Sequence, residues 1–128
     1  MTAAVAEPWS EAWLGKAASS FDVTLLAPEA AATIAITLLG APGGDRPTTW
    51  QVEGERMTAT LGDSPDADVV VTIPWADALA IVTGELEPAV AYMRGRLKPS
   101  GDMKLTLALM KLGSSPAFAT WMSHVAGS

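Results

Sequence analysis

The chain has no cysteine, one histidine, one tyrosine and two phenylalanines among its 128 residues. Without cysteine, no disulfide can brace the fold and no thiolate can serve as a nucleophile, which is compatible with a reducing compartment. With one imidazole and no thiolate, a metal would have to be held by carboxylates alone. No Asp/Glu cluster has the spacing for that, so neither a metal nor a cofactor is expected. Charge is also scarce. Charged residues make up 17% of the chain and apolar residues 49%, where an average soluble chain is roughly 25% charged. Long apolar runs are missing too: Thr, Gly, Pro or a charge breaks each one well short of the roughly 20 residues of a membrane-spanning helix.

The opening Met1-Thr2-Ala3-Ala4-Val5-Ala6-Glu7 has no basic cluster ahead of an apolar core. It does not read as a secretory leader, and the cytoplasm is the expected location. A net charge of -6 repels nucleic acid and anionic membrane in the absence of a basic patch, so neither nucleic-acid binding nor stable membrane insertion is expected. The densest basic stretch, Arg94-Gly95-Arg96-Leu97-Lys98, reads as a solvated edge, although it has the charge to touch a phosphate or a fatty-acid headgroup. The length suits one domain spanning residues 1–128. The apolar surplus then requires an enlarged core, an internal cavity with apolar walls, or a buried contact with a partner enzyme or a second copy.

What is present is a change of period along the chain. Glu7-Pro8-Trp9-Ser10 looks like a helix start, with Trp9, Trp13 and Ala17 on one stripe ending near Ser19-Ser20. Residues 21 to 32 show no clear period. From Thr33 the period becomes two: Ile34, Ile36 and Leu38 alternate with Ala35 and Thr37, as in a half-buried strand. The turn Gly40-Ala41-Pro42-Gly43-Gly44-Asp45 leads to a second strand with Trp50 and Val52 on one face. Gly54-Glu55 closes a hairpin to Met57, Ala59 and Leu61, with Thr58 and Thr60 opposite. A loop at residues 62–66 precedes a fourth, β-branched strand with Val69, Val71 and Ile73. One face of this sheet is apolar and the other is rich in threonine, so helices must cover the apolar face.

After Pro74 the helical period returns. Trp75, Leu79 and Val82 share a face before Gly84. Glu87-Pro88 opens a short helix carrying Val90 and Met93, and Gly95 stops it. Arg96-Leu97-Lys98-Pro99-Ser100 fits at most an edge strand because of its proline. Met103 to Leu112 fits two helical stripes, Met103/Leu107/Met110 and Leu105/Leu109/Leu112. It is read as a helix starting near Asp102 and apolar around most of its circumference, which demands burial or a cavity wall. Pro116, Phe118, Trp121, Met122 and Val125 mark a last amphipathic helix.

Groups able to do chemistry are few. His124 sits at a helix end, where a surface position is the better account. Asp63, Asp66 and Asp68 lack the rest of a calcium loop, and Gly40 to Gly44 lacks the Gly-Lys-Ser/Thr ending of a phosphate loop. No catalytic constellation is recognised. Were the protein an enzyme, Tyr92, expected to be buried, with Asp77 or Glu87, would be the groups to test.

Three stretches resemble the sterol carrier protein 2 family: Asp68-Val69-Val70-Val71-Thr72-Ile73; Ala78 through Thr83-Gly84-Glu85-Leu86-Glu87-Pro88; and Gly95-Arg96-Leu97-Lys98-Pro99-Ser100-Gly101-Asp102-Met103. The Gly40–Gly44 turn before Thr49-Trp50 is similar to that family's first hairpin, and the likeness covers roughly residues 30 to 112. The chain departs from the pattern in a shortened or replaced N-terminal helix, in Glu85 where lysine is common, and in Pro99. It ends without the Ser-Lys-Leu address of some relatives, and it looks like a bacterial-type, stand-alone member.

The resemblance implies an α+β fold: a five-stranded, mainly antiparallel sheet with helices on one face and an apolar tunnel between them. The implied activity is binding and transfer of a lipid or similar extended hydrophobic molecule, such as a fatty acid, acyl-CoA or sterol. The strands would contribute Ile34, Ile36, Trp50, Val52 and Val71 to the ligand site, and the two helices after the fourth strand would contribute Trp75, Leu79, Val82 and Met93. Met103, Leu107 and Met110 would follow from the next helix, with Phe118, Trp121 and Met122 on a C-terminal lid. The alternatives are a cofactor-free cyclase or isomerase that works by folding its substrate, and an accessory domain that docks a partner enzyme.

Overall fold

The computed structural model describes residues 8–21, 32–53, 56–64 and 66–127. The Gly54-Glu55 turn, Pro65 and residues 22–31 lie outside the described residues. Helix α1 is Glu11–Ser20, followed by strands β1 (Ala32–Leu39), β2 (Arg46–Glu53), β3 (Arg56–Leu61) and β4 (Val69–Pro74). Helices α2 (Trp75–Thr83) and α3 (Pro88–Met93), strand β5 (Lys98–Gly101), and helices α4 (Met103–Gly113) and α5 (Pro116–Gly127) complete the chain.

The sheet order is β3-β2-β1-β4-β5. Three of its pairings are antiparallel and the central one, β1 with β4, is parallel. Register puts Ile34, Trp50 and Ala59 side by side, and Ile36 beside Thr48 and Val71. The period-two alternation therefore places most of the apolar side chains of the four long strands on one face and Thr33, Thr49, Thr58, Thr60 and Thr72, with Ala35 and Val70, on the other. The short connection from β3 has to pass β2 and β1 before joining β4. Asp68 fastens its end: its amide donates to the Thr33 carbonyl at 2.8 Å, and its carboxylate accepts from the Thr33 amide at 2.8 Å.

Local chemistry sets the helix ends. The Ser10 hydroxyl accepts from the Trp13 amide at 3.2 Å, so α1 begins at Glu11 rather than at Pro8. Trp9 lies before the helix with φ 64°. Its ring is still buried, and its indole donates to the Ala78 carbonyl at 3.3 Å. Pro74 carries β4 directly into α2 as its N-cap, and Gly84 ends α2 in the left-handed region at φ 84°, where a Cβ is disfavoured. Asp102 caps α4 by accepting from the Leu105 amide at 2.9 Å.

The structure corrects three helical phases. α2 buries Ala78, Ile81 and Val82, with Trp75 and Leu79 only half-buried, because Trp75 turns to meet the Arg46 guanidinium 5.0 Å from its ring centre. α3 buries Pro88 and Ala91 and leaves Met93 76% and Tyr92 50% exposed; Tyr92 is not a buried group. α4 is not enclosed on nearly all sides. It turns Leu105, Leu109 and Leu112 inward or sideways, whereas Met103 and Leu107 are 70% and 62% exposed.

The edge strand β5 ends at Gly101, which has φ 126°, and a Cβ there would fall 2.3 Å from the Asp68 carbonyl oxygen. Gly101→Ala is expected to lower the unfolding free energy by more than about 1 kcal/mol, since both φ and the close backbone approach oppose it. Asp102→Ala, which loses only the cap, should cost about 1 kcal/mol. Urea midpoints of the two variants measured side by side check both.

Candidate functional site

Five helices cover the apolar face of the sheet, but they do not close on it everywhere. Between them lies a cavity of about 150 Å³, roughly ten times the space that one water needs on this measure. Ile34, Ile36, Trp50, Val71 and Ile73 form its floor, Ile81 and Leu97 one side, and Leu109, Met110, Leu112, Phe118, Trp121 and Met122 the roof. Trp9, Trp13 and Phe21 bound it near α1.

Among the described residues, no charged or titratable side chain lines this space. The Thr106 hydroxyl donates to the Asp102 carbonyl at 2.8 Å. The indole N–H groups of Trp9, Trp50 and Trp121 donate to the Ala78 carbonyl, the Thr48 hydroxyl and the Ala17 carbonyl at 3.3, 3.1 and 2.9 Å. Thr48 is fully buried, and its hydroxyl donates onward to the Ile36 carbonyl at 2.7 Å. The buried indole N–H of Trp13 is the exception, with no hydrogen-bond partner. The wall can therefore cover hydrocarbon, and none of the described side chains that form it is a carboxylate, imidazole, amine or thiol.

A second recess of about 420 Å³ adjoins the first at the α2–α3 corner and shares Ile81, Pro88, Gly113, Phe118 and Met122 with it. It is more polar, with Thr83, Glu87, Ser115 and Ser123 at its edge. The partition is tight, because a Cβ on Gly113 would come within 2.9 Å of the Pro88 ring.

Of the residues expected at the ligand site, Ile34, Ile36, Trp50, Val71, Met110, Phe118, Trp121 and Met122 line the cavity. The others lie elsewhere. Val52 packs in a satellite cluster with Phe21 and Leu112, Val82 faces the second recess, and Trp75 and Leu79 pack at the rim of the core. Met93, Met103 and Leu107 face solvent. Trp9, Trp13, Met57, Ile81, Leu97 and Leu109 line the cavity without having been expected there. Met57 shares the period-two face and was legible in principle; Ile81 and Leu109 were hidden by the phase of their helices.

Among the described residues, no group of three or more His, Cys, Asp or Glu is placed to hold a metal, and no helix is long and apolar enough to cross a membrane. Asp77 is engaged with the Arg96 side chain at the surface. His124 and Glu87 are exposed.

A five-stranded mixed sheet with an apolar cavity under helices on one face defines an α+β small-molecule-binding class. Residues 14–113 match the SCP-2 sterol transfer family, and the chain belongs to it. Sterol carrier protein 2 of Gallus gallus is 32% identical over 87 residues, which are 66% of this chain and 16% of that protein. Hydroxysteroid dehydrogenase-like protein 2 of Xenopus tropicalis is 43% identical over 72 residues, 54% of this chain and 17% of that protein. The chain thus spans about a sixth of the length of these curated relatives. Among solved structures, a conserved hypothetical protein from Thermus thermophilus superposes with a TM-score of 0.68 at 18% identity, covering 98% of this chain and 93% of that one. Palmitated sterol carrier protein 2 like 2 from Aedes aegypti gives 0.62 at 22% identity, covering 80% and 88%.

Trp121 joins the roof to α1 through its bond to Ala17 and its ring contacts with Phe21, Trp50 and Phe118. Trp121→Phe keeps most of the packing and should cost about 1 kcal/mol for the lost hydrogen bond. Trp121→Ala should cost about 3 kcal/mol. Chemical denaturation of both variants distinguishes the two contributions.

Proposed function

We propose that this protein binds and carries one extended hydrophobic molecule, a fatty acyl chain or a sterol, in the cavity between the sheet and the helices. The observation that carries the reading is the wall that the described residues form: apolar but for Thr106, without a charged side chain, and with its polar groups satisfied internally except for one indole. Each methylene buried there contributes about 0.8 kcal/mol, so a long alkyl chain binds without a dedicated polar contact. The unpaired Trp13 N–H adds a preference for a ligand that brings a hydrogen-bond acceptor, because an unsatisfied buried donor costs about 1–3 kcal/mol. Family membership and the palmitated Aedes aegypti relative support the same class of ligand. In this reading the cavity is the central part of a tunnel, the chain acts as one intracellular carrier domain, and α5 is the lid that opens for exchange.

The catalytic alternative draws no support from the cavity, to which the described residues contribute no acid or base. Tyr92, Asp77 and Glu87 do not line it.

Native mass spectrometry of the purified protein, followed by organic extraction, is expected to find one lipid per chain. Delipidated protein should take up one equivalent of palmitate, with a change in tryptophan emission, since four indoles line the cavity. Val71→Phe, which fills the floor, should weaken uptake at least tenfold while leaving the far-ultraviolet circular dichroism unchanged. Protein that is reproducibly empty and takes up neither palmitate nor a sterol overturns the proposal.

A further inference from the structure

The charge of the chain is divided sharply along its length. Residues 1–87 carry thirteen acidic and three basic side chains, and residues 88–128 carry five basic and one acidic. The net charge of -6 is therefore -10 followed by +4. All five of those bases, Arg94, Arg96, Lys98, Lys104 and Lys111, lie on α4, on β5 or in the turn between α3 and β5. Arg96 is paired with Asp77. The other four have no carboxylate partner among the described residues. The single acid, Asp102, is exposed, and its carboxylate accepts from the Leu105 amide as the α4 cap, so the exposed charge of this segment stays net positive.

The same part of the surface carries the largest exposed apolar side chains. At 100° per residue, Met103, Lys104, Leu107 and Lys111 fall within one arc of α4, and all four are exposed. α3 packs beside α4 and adds Tyr92 and Met93, which are also exposed. Long cationic side chains interleaved with flexible apolar ones form the pattern of an interfacial surface, in which the apolar groups enter the acyl boundary and the cations reach the headgroups.

We infer that the α3/β5/α4 face is a docking surface for an anionic lipid bilayer. Charge complementarity selects this occupant: the cationic face is drawn to the bilayer while the acidic remainder is repelled from it, so attraction and orientation come from the same asymmetry. A second copy of the chain would set the four unpaired cations of this face against the same four of its partner across a two-fold interface, which disfavours self-association there. The inference does not depend on what the cavity holds, because vesicle binding is read without any cargo.

Flotation with vesicles of phosphatidylcholine, alone or mixed with phosphatidylglycerol, tests it. Partition onto the mixed vesicles should exceed that onto neutral ones at least tenfold and fall as salt is raised from about 0.1 M to 1 M. Each cation near an anionic surface contributes about fivefold, so Lys104→Glu with Lys111→Glu should reduce partition at least twenty-five-fold. Met103→Ser with Leu107→Ser should reduce it about tenfold. All four sites are exposed, and these variants should keep the wild-type melting temperature. Lys16→Glu with Arg56→Glu makes the same change in net charge away from this face and should stay within about threefold of wild type. Equal partition onto neutral and mixed vesicles overturns the inference, as do equal losses from the two charge-reversed pairs. So does a serine pair that alters the oligomeric mass with no change at vesicles.

Discussion

The ring of Trp50 is the point on which the helical layer depends. It stands on the apolar face of β2 and meets Trp9, Trp13 and Trp121 edge-on, with ring centres 6.2, 6.3 and 6.2 Å away. These partners come from the turn before α1, from α1 and from α5, so one strand residue ties both ends of the described chain to the middle of the sheet. Edge-to-face pairs of this kind add about 0.5–1.5 kcal/mol each beyond the area they bury. Their bulk also props the helices away from the sheet. Smaller side chains would let α1 and α5 settle onto β1 and β2, and the cavity beside the rings would close.

Support and cavity are thus two results of the same packing. The rings hold the roof up on one side, and the close contact of Gly113 with Pro88 fixes it on the other. Hydrogen bonding follows the same economy. The indoles of Trp9, Trp50 and Trp121 and the hydroxyls of Thr48 and Thr106 all bond inward to the protein, which leaves a surface that water gains little by wetting and hydrocarbon loses little by touching. The fold meets solvent differently in its two parts: most of its described acids lie on α1, α2 and the connecting loops, whereas the cations after α3 lie on β5, on α4 and in the turn between α3 and β5. The cavity lining and the exposed cationic face therefore have no residue in common.

The sheet was readily legible because a strand has an exact period of two. Once Ile34 faces the core, so do Ile36 and Leu38, and the pairing register carries the same assignment to Trp50, Ala59 and Val71. Helices were less legible. α4 offers two apolar stripes of similar strength, and in the one that starts at Met103, Met103 and Leu107 face water while Met110 lines the cavity. α2 and α3 are so short that one or two residues decide their phase. Trp75 was drawn off the expected face by Arg46, a partner 29 positions away in the chain. The floor of the cavity could be read from alternation, whereas half of its walls could not.

By itself, the sequence determined the order of elements, the apolar and threonine-rich faces of the sheet, the turns and caps, and membership of a family whose pattern runs from the first hairpin to α4. These depend on contacts between residues near in the chain, or on a strict period. Only the tertiary structure decided that β4 pairs parallel with β1, that Trp9 folds back over Ala78, which side of α4 meets solvent, and that the greasy surplus divides between an apolar cavity and an exposed cationic face. Each of those turns on contacts between residues far apart in the chain, where no local spacing records which partner arrives.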